Sequence, residues 1–142
     1  MTNNNMDIIF TNRDELIKVC LQDVMYIKAD GNYAVICMKS GRSLSLLSSL
    51  HALKLLLDKS EPGTFVSAGR SHIVNIHYVS QIHAVHKTIV VADDNTKEHI
   101  TLHVSRESIT QIMEAMKVKA EAIADSFETK NGNMRASAVN NS

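Results

Sequence analysis

A chain of 142 residues with 44% hydrophobic content has the length for one domain with a real core, and its 15 basic and 15 acidic residues cancel. No apolar run approaches a membrane span, and the Asn-rich start lacks the charged-then-apolar order of a signal peptide, so a cytoplasmic chain is expected. Zero net charge excludes a uniformly basic protein but hides a segregation: Lys28 to Lys87 hold seven Lys/Arg against three Asp/Glu, Thr88 to Glu128 four against eight. A basic part beside an acidic part is the asymmetry that matters for a polyanionic partner.

Residues 1–7 read as a polar, disordered lead-in. Ile8–Thr11 and Leu16–Leu21 are short strands around the turn Asn12-Arg13-Asp14. Val24–Lys28 and Tyr33–Met38 are a second pair joined by Ala29-Asp30-Gly31-Asn32, strong turn chemistry between β-branched and aromatic runs. Cys20 and Cys37 fall inside apolar strands without CxxC spacing and read as buried free thiols. Ser40-Gly41-Arg42 turns the chain into Ser43–Leu47. Ser48 and Ser49 can cap a helix carrying Leu50, Leu53, Leu56 and Leu57, which Glu61-Pro62-Gly63 stops.

In the next segment, Phe65–Asn75, the apolar pairs Phe65-Val66 and Ile73-Val74 flank Gly69-Arg70-Ser71-His72. That polar insert has to leave the core. An arginine, a serine and a histidine on a glycine hinge can bind phosphate and read base edges. Asn75 follows two core residues and suits satisfying buried backbone groups. After a turn near Ile76–Val79, strands are expected over Gln81–His86, Thr88–Ala92 and Glu98–Leu102, with a hairpin turn at Asp93-Asp94-Asn95. Ser105 is a helix N-cap candidate, with Glu107 and Ser108 in the first turn. From there Ile109, Met113, Met116, Ala120, Ile123 and Phe127 follow an a/d seam. Two readings stay open: a helix packed on its own domain and fraying afterwards, or self-association through the seam. Past Thr129 the composition of Asn, Ser, Gly and Ala reads as a disordered tail.

No Gly-rich phosphate loop, nucleophile elbow or HExxH occurs, so no enzyme activity is expected. Seven histidines invite a metal hypothesis. However, His83-x-x-His86 points its rings to opposite faces of a strand. His99 and His103 have no thiol or carboxylate at ligand spacing, and neither metal nor cofactor is expected.

With its elements placed, the chain resembles the LytTR family of bacterial DNA-binding domains. The resemblance is carried by Val24-Met25-Tyr26-Ile27-Lys28-Ala29, by Gly31-Asn32-Tyr33 and by the turn, strand and helix over Gly41–Leu57. Phe65–Asn75, above all Arg70-Ser71-His72-Ile73-Val74-Asn75, and Val104-Ser105-Arg106 complete it. It covers residues 8–115, leaving 116–128 as a helical extension and 129–142 as the tail. The resemblance implies a mostly β fold: small antiparallel sheets of short strands, one inserted helix and a C-terminal helix. It implies transcription control through loops entering adjacent major grooves, duplex DNA as partner, often at imperfect direct repeats, and a possible homodimer. Many relatives carry a receiver domain or membrane helices ahead of this module; here a stand-alone domain without a receiver is expected.

Transferred residue by residue, the resemblance points to Asn32 and Tyr33, to Arg70 with Ser71 and His72, and to Arg106. Some relatives have a histidine at the position of Tyr33 and an asparagine at that of Arg70, so different bases are expected to be read here and no target site is carried over. An arginine fork matches guanine O6 and N7, and Gly69 lets the backbone approach a duplex closely. Arg106 opposes the dipole at its helix start, a local conflict that points to another task. His86 and Lys87, on a strand-to-strand turn, are candidate phosphate contacts. The alternative function is a protein-interaction or oligomerisation module using the C-terminal helix, with DNA binding lost.

Overall fold

The structure, a computed structural model, describes residues 7–11, 13–95 and 97–131, and over 121–131 the backbone alone. The lead-in at 1–6 and the tail beyond Asn131 lie outside the described residues, as do the side chains of Ile123 and Phe127. The chain begins with a hairpin of β1 (Asp7–Thr11) and β2 (Leu16–Cys20). Strands β3 (Val24–Asp30), β4 (Tyr33–Met38) and β5 (Ser43–Leu47) follow, then helix α1 (Leu50–Ser60). Next come β6 (Phe65–Ala68) and β7 (His72–Asn75), then β8 (Val79–His83), β9 (Thr88–Ala92) and β10 (His99–His103). Helix α2 (Arg106–Asn131) closes the described chain.

The strands make a two-stranded sheet, a three-stranded sheet β10-β9-β8 and a five-stranded sheet β5-β4-β3-β7-β6, all antiparallel. The larger sheet is covered along one face by a first core and, over β3, β7 and β6, along the other by a second. One face, with Val24, Ile27, Ala34, Ile36, Phe65 and Ile73, packs against Leu53 and Leu57 of α1 and against the β1–β2 hairpin. The other, with Met25, Ala68 and Val74, packs against Ile89, Val91 and Leu102 of the three-stranded sheet and Ile109 and Ile112 of α2. A register shift between Val24 and Tyr26 makes this possible. Strict alternation would put Met25 and Ile27 on one face. The bulge re-aims the strand, so Val24 and Ile27 fill the first core while Met25 and Tyr26 turn to the second.

Local chemistry sets the ends of the elements. Ser49 Oγ accepts the Ala52 amide at 3.1 Å and caps α1. Ser105 Oγ accepts the Ser108 amide at 3.1 Å at the start of α2. Asn75 is 1% exposed. Its Nδ2 donates to the Val24 carbonyl at 2.9 Å, and its Oδ1 accepts the His77 amide at 2.9 Å. It satisfies backbone groups in the core, as its position after Ile73 and Val74 suggested.

Several boundaries and burials differ from expectation. β1 takes in Asp7, which the sequence assigned to the lead-in. β8 spans Val79–His83 rather than Gln81–His86, because buried Val79 pairs with Val91 and a bulge follows before Gln81. Residues 84–87 form the turn instead. Cys20 and Cys37 are half-buried rather than buried. Cys20 ends β2, and Cys37 lies on β4 outside the close-packed layer. On α1, Leu53 and Leu57 are buried but Leu56 is 40% exposed, because the four-residue spacing holds one stripe inward and Leu56 flanks it.

Asn75→Ala leaves the Val24 carbonyl and the His77 amide without their partner. It should lower unfolding free energy by about 2–3 kcal/mol, read by urea denaturation. A loss below about 0.5 kcal/mol would mean that this tie does not hold the sheet.

Candidate nucleic-acid interface

Three turns and one helix start meet at one end of the molecule because hydrogen bonds cross between them. The Ala29 amide donates to the Ser71 carbonyl at 2.9 Å, joining the β3–β4 end to the β6–β7 turn. The Gly69 amide donates to Ser108 Oγ at 2.9 Å, joining that turn to the first turn of α2. The Val104 amide donates to the Lys87 carbonyl at 2.9 Å, bringing in the β8–β9 turn. Gly69 has φ +77°, a left-handed conformation that a side chain would strain. Lys87 adopts φ +56° despite its side chain, an uncommon conformation for a residue other than glycine.

This end gathers most of the residues singled out from the sequence. Arg70, Ser71, His86, Lys87 and Arg106 are exposed, as are Asn32 and Tyr33 on the neighbouring β3–β4 hairpin. Among the described residues, none of Arg70, Lys87 and Arg106 has an ion-pair partner. Ion pairs elsewhere in the described residues include Lys18–Asp7 at 3.8 Å, Lys39–Asp23 at 3.5 Å and Lys54–Asp58 at 2.8 Å. Arg106 therefore opposes the helix dipole without an ion-pair partner, while Glu107 in the same turn favours the dipole. Tyr33 is 49% exposed and also lines a cleft of about 670 Å³ with Phe10, Ile17, Leu46, Leu53 and Leu56.

His72 differs from the residues around it. It is the first residue of β7, half-buried, with its ring centroid 6.3 Å from that of Tyr26. Burial, and then the charge of Lys28, holds its imidazole below the usual histidine range. Lys28 was not singled out in the sequence. It lies exposed on β3 directly across from His72 and adds a fourth cation to this end. Its signal was the alternation of β3 beyond Tyr26, which turns Lys28 outward. Ser108 was noticed only as a first-turn residue; its tie to Gly69 spans 39 positions and has no local signature.

Of the seam residues, Ile109 is 4% exposed and belongs to the second core, and Met113 and Met116 pack against it. Ile112, outside the expected a/d spacing, is the fully buried residue of that helix face. Ala120 is half-buried. Among the described residues no group of His, Cys, Asp and Glu could hold a metal ion, and no helix is long and apolar enough to cross a membrane.

The LytTR DNA-binding domain family model matches residues 14–117. The chain belongs to the LytTR family. Among solved structures it is similar to the LytTR DNA-binding domain of a protein from Bacillus cereus described as a methyl-accepting/DNA response regulator. The two share 23% identity and superpose with a TM-score of 0.58 over 78% of this chain and 96% of that one. At that identity the likeness speaks for the fold, which is the mostly β arrangement expected. No curated protein matches. The LytTR match ends at Lys117, so the last turns of α2 lie beyond the family pattern.

The His72 environment sets a pH dependence with a definite sign. Its folded pKa lies below its unfolded value near 6.5, so its neutral form is the one that fits. The associated stability is fully present above about pH 6.5 and is lost as pH falls from there through the folded pKa. Histidine resonances followed by NMR should show the His72 midpoint below the usual histidine value near 6.5. Stability should decline as pH falls below about 6.5, less so in His72→Gln. An unshifted His72 midpoint would contradict the burial argument.

Proposed function

We propose that this LytTR domain binds duplex DNA sequence-specifically and regulates transcription, with the turns at one end entering the major groove. The observation that supports this reading most is the cross-tied cluster of Arg70, Lys87 and Arg106 at one end, exposed and without acidic partners. Arg70, on its glycine-hinged turn, is the base-reading candidate, since its fork can engage a guanine edge. Arg106, Lys87 and Lys28 supply phosphate contacts that fix orientation. Asn32 and Tyr33 form the second reading loop, and Ser71 and His86 take phosphate at the rim. Half-buried, uncharged His72 supports the Arg70 turn from beneath. Two copies on imperfect direct repeats in the cytoplasm would suit a domain of this size.

The test combines site selection from random duplexes with salt-dependent binding of the wild type, Arg70→Ala and Arg106→Ala. Arg70→Ala should relax one base position at a cost of about 1–3 kcal/mol. Arg106→Ala should weaken all sequences alike and reduce the log K against log salt slope by about 1. Absence of salt-sensitive duplex binding at low ionic strength would overturn the reading.

A second reading, self-association through α2, rests on the helix running to Asn131, past the family match. Ile109, Met113 and Met116 are engaged in the domain's own core, which leaves Ala120, Ile123 and Phe127 as the seam. Removing α2 whole would strip Ile109 and Ile112 from that core, so the full chain with Ile123→Asp is the informative variant. If the seam pairs two copies, sedimentation of this variant should give the monomer mass where the wild type gives the dimer. A monomeric wild type at high concentration would end this reading.

A further inference from the structure

Loops read DNA well only if they are held in the reading geometry before the duplex arrives, since ordering them on binding costs affinity. The ties at this end are of two kinds. Ala29 to Ser71 and Val104 to Lys87 are backbone to backbone, so no side chain of theirs can be exchanged to test them. The tie between the Arg70 turn and α2 instead runs through a side chain, Ser108 Oγ, which accepts the Gly69 amide at 2.9 Å. Ser108 is 6% exposed. Its hydroxyl also accepts a hydrogen bond from Ser105 Oγ at 3.1 Å, while the same Ser105 oxygen accepts the Ser108 amide at 3.1 Å.

The chemistry of this relay is directional. The Gly69 amide lies one residue before Arg70, so this bond anchors the turn at the residue next to Arg70. Ser108 follows Arg106 by two residues on the first turn of α2, so the same hydroxyl is rigid with respect to Arg106. An ordinary helix start needs a cap, and Ser105 provides it; it does not need a buried serine at the third helical position. A helix cap alone therefore does not account for Ser108.

We infer that Ser108 is a positioning residue for DNA reading: its buried hydroxyl pins Gly69 and holds Arg70 at a fixed distance from Arg106. The inference rests on the reading of Arg70 as a base contact. It assigns no contact with DNA to Ser108 itself. The hydroxyl acts on specificity, through the placement of one arginine, and leaves the charge of the surface unchanged.

The experiment measures the affinity of the full chain for its selected site and for the same site changed at the base that Arg70→Ala relaxes. Ser108→Ala should reduce discrimination at that base roughly three- to tenfold, the effect of one lost hydrogen bond, with non-specific affinity and salt slope unchanged. Ser108→Thr, which keeps the hydroxyl, should restore it. In an Arg70→Ala background Ser108→Ala should have no further effect, because the two act on one contact. Ser49→Ala, which removes the cap of remote α1, controls for general destabilisation and should leave discrimination intact. If Ser108→Ala does not fold, Ser108→Cys takes its place, with similar shape but a weak acceptor. Full discrimination in the Ser108 variant, or an equal loss in Ser49→Ala, would overturn the inference. A wild type that selects no site would overturn the DNA-reading proposal instead.

Discussion

The two-sided burial of β3 and β7 is the constraint on which the rest of this molecule depends. A strand in the middle of a five-stranded sheet must offer apolar surface in both directions when helices and a second sheet cover its faces. β3 meets that demand with Val24 and Ile27 toward α1, and with Met25 and Tyr26 toward α2. The bulge at Met25 is what reconciles this pattern with the pleat. Asn75 then ties β7 back to the Val24 carbonyl beside the bulge, so the irregular end of β3 is satisfied by a side chain. With that end fixed, the opposite ends of β3 and β7 carry the β3–β4 and β6–β7 turns. Their relative position follows from the register Lys28 to His72.

The same antiparallel topology gathers cations that are far apart along the sequence. The β8–β9 turn with Lys87 and the β9–β10 turn with Asp93, Asp94 and Glu98 must lie at opposite ends of their sheet. Lys87 is tied to the residue before Ser105, at the end where Arg70 and Arg106 sit. Glu98 lies at the other end, its carboxylate 3.2 Å from where a Cβ on Gly41 would stand in the β4–β5 turn. Zero net charge is thus compatible with a local gathering of cations at the turn end, while the far end mixes Asp93, Asp94 and Glu98 with Lys39, Arg42 and Lys97. Such a gathering orients encounter with a polyanion even when the monopole vanishes.

Features written in neighbouring residues were legible in the sequence. Turn chemistry located the β3–β4 and β6–β7 loops, and serine caps located both helix starts. Asn75 was readable from its place after two core residues. The features that were hidden depend on partners distant along the chain. The bulge in β3 is specified by what packs on each face, and Ile112 by the shape of the second core. The seam spacing picked Met113 over Ile112 because an a/d pattern describes a helix meeting a helix, whereas the first turns of α2 meet a sheet. Cys20 and Cys37 looked buried since apolar neighbours in sequence were taken for neighbours in space. At the candidate interface, the exposed cations were legible one by one; that Ser108 reaches Gly69 was not.

DNA reading by loops sets a harder physical problem than reading by a helix. A recognition helix is rigid through its own backbone hydrogen bonds, whereas a turn of three residues has only the bonds its surroundings provide. Here each turn at the basic end has such a bond: Ser71 with Ala29, Gly69 with Ser108, Lys87 with Val104. The left-handed backbone at Gly69 and Lys87 makes these tight turns possible, and the cross-ties limit their motion. His72 adds a half-buried base to the Arg70 turn, neutral because burial disfavours its charge. The cations can then stand close together without carboxylate partners, their mutual repulsion relieved by water in the unbound state. Phosphates would relieve it further on binding, with the release of counterions adding to affinity. A cluster of unpaired cations on loops fixed from below is the arrangement that favours a polyanion whose charge is itself fixed in space.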